Sequence, residues 1–125
     1  MPPSKSTTLT EAELRLMDVF WLKKSATVQQ VLEALPDRPA LAYNSVLTTI
    51  RILESKGYLS HEKDGRAHVY TPLVGRKEAS RLEVQRLVNR FFENSHEQLV
   101  LNVIDDENLD VEELDRLRKL LDGGD

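Results

Sequence analysis

One stretch of this chain restricts its fold more than any other: residues 41–72, Leu-Ala-Tyr-Asn-Ser-Val-Leu-Thr-Thr-Ile-Arg-Ile-Leu-Glu-Ser-Lys-Gly-Tyr-Leu-Ser-His-Glu-Lys-Asp-Gly-Arg-Ala-His-Val-Tyr-Thr-Pro. A helix starting near Ala42 buries Val46, Ile50 and Leu53 at helical spacing. Gly57 is placed to close it in the left-handed conformation. Residues 58–63 and 66–71 alternate well enough for strands, and Asp64-Gly65 is the signal for a two-residue hairpin turn. Such a turn pairs Lys63 with Arg66, His61 with His68 and Leu59 with Tyr70. The hairpin base then docks on the helices and a basic pair stands at the tip.

Two further helices precede this stretch. Thr10-Glu11-Ala12-Glu13 is a capping box opening a helix that runs to about Lys24. Leu14, Met17 and Trp21 form its apolar stripe, widened by Val19 and Phe20. Thr27-Val28-Gln29-Gln30 opens a shorter one through Val28, Val31, Leu32 and Leu35, stopped by Pro36 and Pro39. Three helices and a hairpin define a winged helix-turn-helix. The fold class expected is mostly α with a small β-hairpin wing, plus a C-terminal helical dimerisation domain. The expected boundaries are a disordered arm at 1–8, the winged unit at 9–74 and the dimerisation domain at 75–125.

After Pro72 the apolar pattern broadens. Leu82, Val84, Leu87, Val88, Phe91 and Phe92 give a helix with a stripe too wide for one buried side. Residues 98–104, Leu99 and Leu101 among them, are almost wholly apolar apart from Asn102. Residues 108–113 look like a helix start with acids in the first turn, where the dipole favours them. Leu114, Leu117, Leu120 and Leu121 line one face beyond it, before Gly123-Gly124. Short helices this apolar need another surface to cover them, and two-fold symmetry suits a palindromic DNA site, so a homodimer is expected. Leu82, Leu87, Val88, Phe91, Phe92, Leu99, Leu101, Leu114, Leu117 and Leu121 are its candidate contacts.

Charge is segregated. Residues 1–92 hold 14 Lys/Arg and 10 Asp/Glu, while residues 93–125 hold 3 and 11, which together give the net −4. Only the basic part suits phosphates. The absence of cysteine removes disulfides, thiol catalysis and thiolate metal sites. No apolar run reaches the ~18 residues of a membrane span and the first residues lack an apolar signal core, so a cytoplasmic location without membrane contact is expected. Gly-rich phosphate loops, nucleophile elbows and catalytic triads are missing from the sequence, so no enzyme activity and no cofactor are expected. His61 and His68, facing each other across the hairpin, fall short of a metal site with only two ligands. Asp105-Asp106-Glu107 lacks the spacing and turn glycine of a calcium loop and reads as a solvated face or helix start.

The candidate DNA-binding residues lie on or beside the polar face of the third helix: Tyr43, Asn44, Ser45, Leu47, Thr48 and Arg51. Asn bonds adenine bidentately, hydroxyls meet bases or phosphates, and a Thr methyl touches the thymine methyl. Lys63 and Arg66 at the wing tip are candidates for phosphate or minor-groove contact. The rival reading is a winged-helix module that binds protein partners and no DNA; the modest basic charge keeps it open.

The ordered set of these segments resembles the penicillinase-repressor family of bacterial regulators (the BlaI/MecI group). The matching pieces are Leu9-Thr10-Glu11-Ala12-Glu13-Leu14, Val19-Phe20-Trp21, residues 42–49, residues 53–59, the wing at 62–72, Asn89-Arg90-Phe91-Phe92 and Leu99-Val100-Leu101-Asn102. The resemblance implies a homodimeric repressor on an inverted-repeat DNA operator. It implies base contacts from Asn44, Ser45 and Thr48, a wing contact from Arg66, and dimerisation through the C-terminal helices. In some relatives a membrane-bound sensor protease cuts an Asn-Phe bond, which maps onto Asn102 and Val103; here valine replaces the phenylalanine. Copper-responsive relatives use a C-terminal cysteine cluster, which a chain without cysteine excludes.

Overall fold

The computed structural model describes residues 8–35, 42–106 and 108–123. The elements run α1 (Glu11–Lys23), α2 (Val28–Ala34), α3 (Tyr43–Ser55), β1 (Leu59–Asp64), β2 (Ala67–Pro72), α4 (Arg76–Phe91), α5 (His96–Ile104) and α6 (Val111–Gly123). Residues 1–7 of the expected arm at 1–8, the Pro36–Pro39 helix stop, Glu107 and Gly124 lie outside the described residues. The chain divides into two compact units, one ending at Arg86 and the other beginning at Leu87.

Both expected capping boxes form. The Thr10 hydroxyl accepts from the Glu13 N–H at 3.1 Å while the Glu13 carboxylate accepts from the Thr10 N–H at 2.9 Å. Thr27 and Gln30 repeat the arrangement at 3.1 and 2.9 Å. Each box satisfies two backbone donors that a helix start leaves free. Gly57 closes the turn after α3 with φ 90°, where a side chain would strain the backbone.

The core of the first unit comprises Leu16, Met17 and Phe20 of α1, Val28 and Val31 of α2, and Val46, Ile50 and Leu53 of α3. Ala26, Tyr58, Leu59, Tyr70, Val74 and Ala79 complete it. The buried face of α1 differs from the expected stripe. It runs Glu13, Leu16, Met17, Phe20, while Leu14 is 39 % exposed and Trp21 only half-buried. Hydropathy alone misplaces this face because its first member is a carboxylate. Glu13 is buried because Lys56 Nζ lies 2.7 Å from its Oε1, and Lys56 also donates to the Thr8 carbonyl at 2.8 Å. Trp21 turns aside to donate its indole N–H to the carbonyl of Val74.

The hairpin register also differs from expectation. Leu59 pairs with Pro72, His61 with Tyr70, Lys63 with His68 and Asp64 with Ala67, so the two turn residues are Gly65 and Arg66. The reason is the sign of φ. Gly65 has φ 65° and Arg66 does not share it, the pattern of a turn with glycine at its first central position. An Asp-Gly turn of the expected type needs positive φ at both residues. The shift moves Arg66 from the strand to the apex and sets His68, rather than Arg66, opposite Lys63. Ala26 and Tyr70 exchange backbone hydrogen bonds at 3.0 and 2.8 Å, tying the α1–α2 connection to β2.

In the second unit the Ser95 hydroxyl accepts from the Gln98 N–H to open α5, and the Asp110 carboxylate accepts from the Glu112 N–H at the start of α6. Neither helix has a buried residue. Their apolar faces enclose a groove of about 570 Å³ lined by Leu99, Val103, Ile104, Leu114, Leu117 and Leu121, among others.

Candidate nucleic-acid interface

The buried face of α3 is fixed by Val46, Ile50 and Leu53, which lie at most 2 % exposed. Helical geometry therefore turns Tyr43, Asn44, Ser45, Thr48 and Arg51 outward, and all five are exposed. Leu47 is half-buried against the core. The Thr48 hydroxyl donates to the Asn44 carbonyl at 2.8 Å and the Thr49 hydroxyl to that of Ser45 at 3.1 Å. With its proton committed, Thr48 offers an outside ligand an acceptor oxygen and a methyl group.

Leu47 and Arg51 face the wing. Between α3, the start of α2 and β2 lies a cleft of about 320 Å³ lined by Tyr43, Leu47 and Arg51 on one side and Arg66, Ala67, His68 and Tyr70 on another. Two guanidinium groups thus line one concave surface, which suits an anion. Thr27, Val28 and Gln29 form its third wall. The structure so brings together four of the expected DNA-binding residues, Tyr43, Leu47, Arg51 and Arg66. Asn44, Ser45 and Thr48 lie outside the cleft on the same helix, and Lys63 is exposed on β1. Thr27, Gln29 and His68 also line the cleft, outside the DNA-binding candidates marked in the sequence. The capping box at Thr27 was the available signal for the first two, because it marks the end of α2 that meets α3.

Burial chiefly, and then the Glu54 carboxylate, raise the Tyr70 phenol above its ordinary pKa, while Arg51 acts in the opposite sense. The phenol stays protonated at neutral pH. The His61 and His68 rings stack, with centroids 4.6 Å apart and planes at 16°. Among the described residues no group of three or more His, Asp or Glu side chains is arranged to hold a metal ion. No helix among them is long and apolar enough to cross a membrane.

The expected C-terminal contacts fall in different places. Leu82 packs against the core of the first unit. Val88 is fully buried, Phe92, Leu99 and Leu114 are half-buried, and Leu87, Phe91, Leu101, Leu117 and Leu121 are exposed, Phe91 at 66 % and Leu121 at 85 %. Asn102 and Val103 lie within α5, so the bond between them is helical.

Three helices followed by a hairpin, with an exposed polar helix face beside a basic turn, define the winged helix-turn-helix class. Residues 9–123 match the family model described as penicillinase repressor, and the chain belongs to that family, one of repressors rather than enzymes. It is 29 % identical over 114 residues to the penicillinase repressor of Bacillus licheniformis, covering 91 % of this chain and 89 % of that one. It is 34 % identical over 120 residues to the transcriptional regulator BlaI of Mycobacterium tuberculosis, covering 94 % and 86 %. The methicillin resistance regulatory protein MecI of Staphylococcus aureus is 25 % identical over 118 residues, covering 94 % and 96 %. The solution structure of the DNA-binding domain of the repressor BlaI superposes with a TM-score of 0.51 at 31 % identity, over 56 % of this chain and 85 % of that one.

Proposed function

We propose that the protein is a homodimeric, sequence-specific transcriptional repressor that binds an inverted-repeat operator in double-stranded DNA. The observation that carries this reading is the shared surface of α3 and the wing, where Arg51 and Arg66 line one cleft beside the exposed Asn44, Ser45 and Thr48. In the proposed mode α3 enters the major groove. Asn44, Ser45 and Thr48 read base edges, with Tyr43 and Leu47 packing at the groove wall. Arg51, Lys63 and Arg66 neutralise phosphates. Residues 9–74 carry the DNA-binding surface, and the dimerisation surface lies within residues 75–125, in the unit that begins at Leu87.

The exposed apolar faces of α5 and α6 support the dimer. A second copy covers Leu101, Leu117 and Leu121, with Phe91 and Leu87 contributing from the end of α4 and Leu99, Leu114, Val88 and Phe92 supporting the interface from beneath. Two subunits place two recognition helices in successive major grooves and occlude the promoter. Work in the cytoplasm follows from that role. Release by a sensor protease at Asn102–Val103 requires α5 to unwind locally, since a protease needs extended backbone.

Binding to an operator and to a mixed-sequence duplex, compared for Asn44→Ala and Thr48→Ala, tests the reading. Loss on the operator of about 1–3 kcal/mol for Asn44→Ala, whose amide can bond a base bidentately, and a smaller loss for Thr48→Ala, with little change on the mixed sequence, is expected. Equal loss on both duplexes refutes base reading by α3.

A further inference from the structure

Leu47, Arg51 and Glu54 follow one another along the wing-facing side of α3 at i, i+4 and i+7. The first two line the cleft, and the third reaches the wing itself. His61 Nδ1 lies 2.6 Å from Glu54 Oε2. A carboxylate only accepts, so the ring carries its proton on Nδ1 and donates it to Glu54. The same ring lies against β2: it stacks on His68 and stands 5.3 Å from the buried Tyr70 ring. His61 is thus gripped from two sides, by the recognition helix through a hydrogen bond and by the wing's second strand through its faces. The Lys56–Glu13 pair also ties the C-terminal cap of α3 to another element, but to α1 rather than to the wing.

The hairpin is two strands long, and a two-stranded ribbon holds its shape weakly on its own. Its inner end is fixed by the Ala26–Tyr70 bridge and by buried Leu59. The turn that carries Arg66 lies four residues beyond His61 in β1 and beyond that anchorage. From this we infer that His61 is a positioning residue of the DNA-binding surface, a latch to Glu54 that holds the wing so that Arg66 faces the same phosphate backbone as Arg51. The inference rests on the proposed DNA-binding reading. The charged and titratable groups around the latch are Glu54 and Arg51 from α3, His68 and Tyr70 from β2, and Lys63 on the same face of β1. Glu54 is the one acid among them. Its carboxylate accepts from His61, and among the described residues no ion pair engages Arg51 or Arg66.

The test is a double-mutant cycle on the full-length chain, read as the dissociation constant for a fluorescent mixed-sequence duplex of about 30 base pairs, three helical turns. Arg66→Ala weakens binding about fivefold, the loss of one phosphate contact. His61→Ala gives a similar loss although it removes no contact with DNA. On the His61→Ala background Arg66→Ala costs little more, because an unlatched wing no longer places the guanidinium. His61→Asn, whose amide nitrogen stands where Nδ1 stood, restores binding. A merely structural role moves neither the non-additivity nor the rescue. Losses that multiply independently, or His61→Asn behaving as His61→Ala, overturn the latch. If the wild-type chain binds no duplex, the DNA-binding reading fails by itself. The latch is then decided by the ring-proton NMR spectrum of the free chain: a protected low-field Nδ1–H signal that vanishes in Glu54→Ala upholds it, and a signal absent from the wild type or unchanged in that variant overturns it.

Discussion

The indole N–H of Trp21 donates to the backbone carbonyl of Val74 at 2.8 Å, joining the end of α1 to the segment between the wing and α4. The Arg76 guanidinium covers the same ring at 4.9 Å and pairs with Asp18. Val74 is 2 % exposed, so its carbonyl has little access to water once the donor is gone. Trp21→Phe is expected to lower stability by about 1–3 kcal/mol, the cost of an unsatisfied buried acceptor plus lost packing. Urea denaturation measures it.

Tyr58 presents the opposite case. Its side chain is fully buried, and the hydroxyl has no hydrogen-bond partner among the described residues. Burial first, then the carboxylates of Glu83, Glu13 and Glu78, hold the phenol above its ordinary pKa, so it remains neutral. Removing an unsatisfied hydroxyl relieves a desolvation cost. Tyr58→Phe should leave stability unchanged or raise it by up to about 1 kcal/mol, read from the shift in urea midpoint. A loss above that value would reveal a bond to a bound water.

Gly65→Ala tests the revised hairpin turn. No atom lies within 4 Å of an added Cβ, so space is not the obstacle; φ 65° is. The expected cost is about 1–2 kcal/mol, with Gly65→Asn tolerated better because asparagine visits that region.

Arg66→Ala should lower the slope of log K against log salt by about 0.9, one phosphate contact, on operator and mixed-sequence DNA alike. An unchanged slope in titrations across salt concentration would remove the wing from the interface.

Phe91→Asp or Leu117→Asp, each placing a charge on an exposed apolar position, should give monomers in light scattering that lose tight operator binding. Dimers that survive both substitutions would place the interface elsewhere.

Much of this was legible in the residues. The capping boxes at Thr10 and Thr27, the buried triplet Val46, Ile50, Leu53 and the closing Gly57 are local signals, and local hydrogen bonding or periodicity decides them. Two features were not. The inward face of α1 depends on Glu13 finding Lys56, forty-three residues away, and periodicity of apolar residues is blind to a buried ion pair. The register of the wing depends on whether Gly65 takes the first or second central place in the turn, and both placements satisfy the same alternation. The cleft inherits both kinds of information. Tyr43, Leu47 and Arg51 follow from the helix face, whereas Arg66, His68 and Gln29 join them only through tertiary packing.

The central claim is that a dimer reads sequence. Selection of bound duplexes from a random-sequence DNA pool at ~0.1 M salt, where non-specific phosphate binding is partly screened, tests it most directly. Enrichment of an inverted repeat with half-sites about one helical turn, roughly 10 base pairs, apart is the expected result. No enrichment from folded, dimeric protein would contradict it and favour a winged-helix module that binds protein partners instead.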